Sequence, residues 1–267
     1  YALRGADVGV QDAAPRVSTK GCLVELHYSV QCLRRLHQAN MAGRRVIIDS
    51  VLLPSDMPTD VLELAAAASP VVYRMDASIF ASEFQSKEAG QAARACTFLV
   101  AFPISRPLAA LRPPVLVLDG LENARNIGQI LRTAYHLGVH SVVASRAAWA
   151  CLSGRAARSS MGWIYHMDFH LAERLPQSLR ELRGAGVRIY VGESENEAPV
   201  KPHSASGGDR QWALVVGNED SGVSSEVMEL ADELVSVPVL CGESLNVAHA
   251  TAICLYELSR GMQKVET

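Results

Sequence analysis

Three stretches of this sequence set glycine and polar side chains immediately after an apolar run, and any chemistry would be centred on them. In the first, LDGLENARNIGQILRTA (118–134), the run ends in Asp119-Gly120, and Asn126, Gly128 and Arg132 follow at helical spacing. Asn126 can cap that helix through its side-chain oxygen, Gly128 permits close backbone approach, and Arg132 offers a permanent positive charge. In the second, VVGNEDSGVSSEV (215–227), Gly217, Asn218 and Glu219 precede Ser221-Gly222. Two glycines so close allow a tight backbone cradle, and a carboxylate can accept from ribose hydroxyls or loop amides. Ser224 as a plain helix cap explains that pattern almost equally well. In the third, VSVPVLCGESLNVAHATAICLYELSRG (235–261), a loop with Pro238 and Gly242 leads to Ser244-Leu245-Asn246 at the start of a long apolar helix. Such a start presents free N–H groups and partial positive charge to a polar ligand, and Ser244 as a mere cap is the alternative.

Elements of an α/β sheet must position these stretches. Apolar runs at 115–119, 141–145, 188–192, 212–217 and 233–239 read as strands buried on both faces, as in a parallel sheet. Helical patterns at 127–137, 176–184, 225–231 and 246–260 lie between them, with Gly138 and Gly261 where terminating glycines belong. The segment 201–210, rich in Pro, Ser and Gly, reads as an exposed loop. In an open sheet of this kind, ligands bind beyond the carboxyl ends of the strands, where all three stretches fall.

The first part of the chain has a different texture. Residues 1–20 show no period and suggest a loose lead-in. From 24 to 42 apolar residues recur at helical spacing (Val24, Leu26, Val30, Leu33, Leu36), and 45–53 reads as a strand. Pro58-Thr59-Asp60 starts a second helix, and 71–74 reads as another strand. A small α/β domain over 21–105 summarises this, with a linker at the four prolines between 101 and 114 and a second domain over 106–267.

Composition narrows the classes. With 49% hydrophobic and 20% charged residues a sizeable core can form. A net charge of −3 excludes a protein coated in positive charge and leaves nucleic-acid binding to local patches; residues 1–105 are balanced, and the acidic excess lies in the remainder. The six cysteines (Cys22, Cys32, Cys96, Cys151, Cys241 and Cys254) form no C-x-x-C pair, which predicts buried free thiols in a reducing compartment and no metal site. His166 and His170, four apart, lack a carboxylate or Cys partner at ligand spacing, and His249 is expected to be packed inside the last helix. No apolar run approaches the about 18 residues of a membrane span, so a cytoplasmic location is expected. The sequence begins at Tyr1, which leaves open an upstream targeting segment.

Taken in order, N-x-G-x-x-x-R-T-A, G-N-E-x-x-G and P-x-x-x-x-x-S-L-N-V resemble the motifs of the SpoU (TrmH-type) RNA ribose 2'-O-methyltransferases of the SPOUT superfamily, over about residues 113–261. The stretch RAARSSMGWIYHM (155–167), with Ser160 and Gly162, is also similar; around 90–95 the family's junction pattern is unclear. The resemblance implies a parallel-sheet catalytic domain with a C-terminal deep trefoil knot, an exception to the rule against knots. It implies S-adenosylmethionine as cofactor, bound by Gly217, Asn218, Glu219, Gly222, Val237, Leu240, Ser244, Leu245 and Asn246. It makes Arg132, Asn126, Ser244 and Asn246 catalytic, Arg132 acting on the 2'-hydroxyl. It further implies a homodimer through the knotted domain and an RNA substrate, ribosomal favoured over transfer RNA, with a small N-terminal RNA-binding domain. Arg34, Arg35, Arg44, Arg45, Arg155 and Arg158 are candidate RNA contacts.

Two rivals are weighed against this. A catalytically inactive RNA-binding member of the fold is disfavoured by the intact Arg132, Asn126, Ser244 and Asn246. A Rossmann oxidoreductase lacks its fingerprint, since the near-match Gly184-Ala185-Gly186 precedes a strand rather than following one.

Overall fold

The computed structural model describes residues 16–17, 23–84, 96–193, 211–241 and 244–260. Most of the expected lead-in, the 201–210 loop, Cys22, Gly242 and Gly261 lie outside them. The chain divides into two compact units, Tyr1–Phe102 and Pro103–Thr267.

The first unit carries β1 (Arg16–Val17), β2 (Leu23–Tyr28), α1 (Val30–Met41), β3 (Ile48–Pro54), α2 (Thr59–Ala68), β4 (Val72–Met75), α3 (Ala77–Phe84) and β5 (Thr97–Val100). Its sheet runs β1-β2-β5-β3-β4, antiparallel except for the parallel pair β3 and β4. Two expectations are corrected here. Arg16–Val17, inside the expected lead-in, pairs with β2. The helical spacing from Val24 belongs to a strand as far as Tyr28, because Glu25 to Tyr28 pair with Val100 to Thr97 of β5. Sheet pairing overrides local spacing there, and α1 starts only after Ser29. The helix then buries Cys32, Leu33, Leu36 and Ala39 on one face. Asn40 closes the turn into β3 by donating to the Val46 carbonyl (2.9 Å) and accepting from its N–H (3.0 Å).

The second unit carries β6 (Val115–Leu118), α4 (Ala124–His136), β7 (Ser141–Ala144), α5 (Arg146–Ala150), α6 (Gly154–Ser159), β8 (Asp168–Leu171), α7 (Leu175–Gly184), β9 (Arg188–Gly192), β10 (Trp212–Val216), α8 (Ser225–Met228), β11 (Glu233–Val235) and α9 (Val247–Ser259). Its sheet is wholly parallel in the order β11-β9-β10-β6-β7-β8. All residues of β6, β7 and β10 are buried, which is why they read as continuous apolar runs. Val115 and Val117 pack with Leu175, Leu179 and Val227 of α7 and α8; side-chain alternation turns Leu116 and Leu118 to the opposite face. The expected strand 233–239 stops at Val235 because its neighbour β9 ends at the paired Gly192. From β6 the chain steps outward to β7 and β8, then returns to place β10 against β6 from the other side. That reversal is the switch point of the sheet, and sheets of this kind form their ligand crevice there, at the loops after β6 and β10.

Candidate active site

At that crevice the two loops are tied to each other by side chains of both. Asp119 accepts from the Ser224 amide (2.9 Å) and hydroxyl (2.8 Å). Asn218 donates to the Gly120 carbonyl at 2.8 Å, while its oxygen accepts from the amides of Asp220 (2.9 Å) and Ser221 (3.2 Å). The backbones of Asn218 and Gly222 exchange two hydrogen bonds, 3.0 and 2.9 Å. Gly217 is required by this fold-back: a Cβ there would lie 2.3 Å from the Gly222 carbonyl carbon. Gly222 itself has φ +69°, a conformation glycine adopts without strain. Ser145, after β7, accepts from the Gly120 amide at 2.9 Å, adding a third strand end.

Asn126 lies in the first turn of α4 with its side chain 7% exposed. It donates to Glu219 Oε1 at 2.5 Å and accepts from Asn246 Nδ2 at 3.4 Å. Glu219, Asn126 and Asn246 therefore form one chain of polar groups drawn from all three motif stretches. The expectation that Asn126 caps α4 is corrected: Asn123 does so, accepting from the amides of Arg125 (3.0 Å) and Asn126 (3.3 Å). Freed of that task, Asn126 can face the other loops. Likewise Asn246, not Ser244, caps α9, accepting from the Ala248 amide at 2.9 Å. Ser224 stands at the cap position of α8 without a capping bond, its hydroxyl being given to Asp119.

Arg132 stands outside this polar chain. It is exposed, and among the described residues no hydrogen bond or ion pair joins its guanidinium to Asn126, Glu219, Ser244 or Asn246. It lines a recess of about 420 Å³ with Thr133, His136, Leu137, Ala252 and Tyr256, between α4 and α9. Ile253 and Tyr256 beside it are 42% and 49% exposed. Gly128 proves to be a packing residue. A Cβ there would lie 2.0 Å from Ser159 Oγ and 2.4 Å from the Ala156 carbonyl, so its absence lets α6 press on α4.

In the loop between β11 and α9, Val237 is half-buried, Ser244 is exposed, Leu245 is 39% exposed and Leu240 fully exposed. Ser160 is buried, its hydroxyl donating to the Ala157 carbonyl at 2.9 Å, and Gly162 takes a left-handed turn at φ 81°. Both shape the connection rather than face a ligand. Arg155 and Arg158 are exposed on α6. In the first unit Arg34 and Arg45 are exposed, Arg34 lying 3.9 Å from Asp60; Arg35 and Arg44 are half-buried, and Arg35 donates to Gln38 at 3.0 Å.

Burial pushes the Cys96 thiol up to about 12 and the Cys254 thiol up to about 11, which makes both poor nucleophiles. No group of three or more His, Cys, Asp or Glu among the described residues could hold a metal ion. His170 Nδ1 donates to the Arg106 carbonyl at 2.8 Å. His249, expected to be packed, is exposed. Asp119, Gly120 and Ser145 were not singled out by sequence as parts of the site, although the Asp-Gly pair ending a strand was the signal for two of them.

The chain is similar to several known proteins. The model of the SpoU rRNA Methylase family matches residues 113–256. The 23S rRNA (guanosine(2553)-2'-O)-methyltransferase RlmP of Bacillus subtilis (strain 168) is 29% identical over 246 residues, 91% of this chain and 90% of that protein. The 23S rRNA (guanosine-2'-O-)-methyltransferase RlmB of a Burkholderia species is 31% identical over 204 residues, 74% of this chain and 81% of its own length. Among solved structures, the SpoU methyltransferase AviRb from Streptomyces viridochromogenes in complex with AdoMet superposes with a TM-score of 0.71 at 19% identity, over 89% of this chain and 90% of that one. That likeness speaks for the fold. With more than half its length matched by the family model and the three motif loops meeting at one switch point, the chain belongs to the SpoU (TrmH-type) family of the SPOUT superfamily.

Proposed function

We propose that this protein transfers a methyl group from S-adenosylmethionine to a ribose 2'-hydroxyl of ribosomal RNA. The observation that carries the reading is the hydrogen-bonded chain Glu219–Asn126–Asn246, which gathers the three family motifs at the carboxyl ends of β6 and β10. The names of RlmP and RlmB, both 23S rRNA 2'-O-methyltransferases, support the substrate class.

The residues present suit the cofactor. Leu240 and Leu245 offer exposed apolar surface to an adenine, and the fold-back at Gly217 and Gly222, with Asn218, leaves a narrow backbone wall for the rest of the molecule. Val237 and Ser244 complete that wall, and Glu219 braces it by holding Asn126. When bound, S-adenosylmethionine supplies an electrophilic methyl group. Asn126, Ser244 and Asn246 orient the ribose, and alignment alone can remove roughly 7–11 kcal/mol of barrier. Arg132 stabilises the negative charge that develops on the 2'-oxygen as its proton passes to water.

Because Arg132 stands apart from its own protomer's polar chain, we take the active unit to be a homodimer through the catalytic domain. A two-fold contact over the face of Arg132, Ile253 and Tyr256 would carry each Arg132 to the other protomer's crevice and cover that apolar surface. The same reading threads the C-terminal segment as the family's knot, assigns RNA contacts to Arg34, Arg35, Arg44, Arg45, Arg155 and Arg158, and treats residues 21–105 as an RNA-binding domain. No helix among the described residues is long and apolar enough to cross a membrane. The described cysteines are all free thiols, which suits the cytoplasm.

The test is transfer of tritium from labelled S-adenosylmethionine to bulk ribosomal RNA, followed by alkaline hydrolysis. Label retained in alkali-resistant dinucleotides is the expected result; wild-type protein that binds the cofactor yet labels neither ribosomal nor transfer RNA ends the proposal. Light scattering at micromolar concentration should give the dimer mass, and an active monomer would refute the shared site.

A further inference from the structure

In a chain of net charge −3, residues 124–166 contain five arginines and no aspartate or glutamate. This stretch runs through α4, β7, α5, α6 and the 3-10 turn Trp163–His166. The tight contact at Gly128 and the packing of the turn on α4 and α6 make α4, α6 and the turn one continuous surface. Arg125 and Arg155 are exposed on it and have no carboxylate in ion-pair range among the described residues. Arg146 pairs with Glu173 from outside the stretch, but a segment that itself contains no acid, in a protein of negative net charge, suits a polyanion.

The same surface carries a column of rings. Tyr135 is stacked on Trp163 with centroids 4.3 Å apart and planes at 22°, and on His140 at 4.8 Å and 28°. His136 meets the indole edge-on at 4.9 Å, and His166 tilts against it at 5.3 Å. The column is held in place before any ligand arrives: His140 Nε2 donates to the Tyr135 carbonyl at 3.2 Å, and His136 Nδ1 donates to the Arg132 carbonyl at 2.7 Å. Its outer end, His140, is exposed. A fixed stack that ends in an exposed imidazole, on a surface that also carries exposed arginines, has the chemistry of a single-stranded nucleic-acid platform, where aromatic faces take bases and guanidinium groups take phosphates.

We propose that the His140–Tyr135–Trp163 column is a base-stacking platform, on which an unpaired nucleotide of the RNA substrate extends the stack from the His140 ring. This deepens the proposed function by adding a substrate contact outside the crevice of Asn126, Glu219 and Asn246. It rests on that reading only for the identity of the RNA as substrate.

The experiment measures binding of a fluorescein-labelled, mixed-sequence single-stranded 12-mer RNA and of a blunt duplex of equal length to the full chain. His140→Ala should weaken the single strand about tenfold, and His140→Phe, which keeps a π face, should stay within about twofold of wild type. His140→Lys, which supplies a positive charge without a ring, should lose affinity as His140→Ala does. The salt dependence should be unchanged in His140→Ala and lowered by about 0.7 in log–log slope in Arg155→Gln. Affinity for S-adenosylmethionine and thermal midpoint, measured on each variant, should stay at wild-type values. Unchanged RNA affinity in His140→Ala, full affinity in His140→Lys, or an equal loss for the duplex overturns the platform. So does a change of His140→Ala mass in light scattering, which would mark the column as a contact between copies of the chain. If the losses occur as expected but wild-type protein transfers no methyl group to RNA, the platform stands and the proposed activity falls.

Discussion

The crevice has two unlike halves. Where the loops after β6 and β10 meet, the chain clasps itself: Asp119 holds Ser224, Asn218 holds Gly120, and Gly217 touches Gly222 backbone to backbone. Across from it, the loop from β11 to α9 shows Leu240 and Leu245 to solvent and reaches the clasp through the 3.4 Å bond from Asn246 to Asn126. Arg132 is also on an open surface. The clasped half is preformed at the expense of the chain's own hydrogen bonds. The open half is left to be completed by what binds there, since exposed apolar groups and an unpaired cation gain most from a partner.

This contrast can be broken at several points. The largest effect is expected at Arg132: Arg132→Ala should lower turnover about 10²–10³-fold, as loss of a charge-stabilising group does, while calorimetry finds S-adenosylmethionine binding unchanged. Wild-type turnover in that variant would remove Arg132 from the reaction. Gly217→Ala forces a methyl group into the clasp, and overpacking of this kind costs about 1–3 kcal/mol. A thermal midpoint several degrees lower, together with weaker cofactor binding, is the expected outcome; an unaltered melting curve would show that the fold-back gives way freely. Asp119→Ala loses two hydrogen bonds at a half-exposed position, so about 1 kcal/mol of stability should go. Leu240→Ala sharpens the contrast from the other side. It should leave stability within about 0.5 kcal/mol of wild type yet weaken the cofactor severalfold in the same titration. The smallest effect is a protection: the exposed Cys241 should react with a maleimide in the native protein, and saturating S-adenosylmethionine should slow it, while Cys96 and Cys254 react only on unfolding. Equal labelling of Cys241 with and without cofactor would place the ligand elsewhere.

The halves also differ in how far they could be read from sequence. The parallel strands were legible because β6, β7 and β10 are buried on both faces and so are apolar throughout. β2 was not, since Val24, Leu26 and Val30 fit a helix as well as they fit a strand followed by a helix, and its pairing with β5 is fixed by residues some seventy positions away. β8 is less legible than the others because Asp168 and His170 break its apolar run. In the site, the motifs marked the right loops, but which asparagine caps α4 depends on where Glu219 lies, and no local rule contains that. Gly128 stood in a motif beside candidate catalytic residues, yet its neighbours are Ser159 and Ala156, an encounter between helices that spacing along one helix cannot reveal. Arg132 was legible as a charge, and its place between α4 and α9 was not.

One feature of the sheet bears on how the chain is made. β10 lies between β6 and β9, although both precede it in the sequence. Until the ribosome has synthesised Val216, a nascent chain holding β6 to β9 has two unpaired strand edges facing a gap, and such edges invite pairing with other chains. The catalytic unit therefore closes late in translation, and a truncated product ending before Trp212 should aggregate where the complete chain stays dispersed.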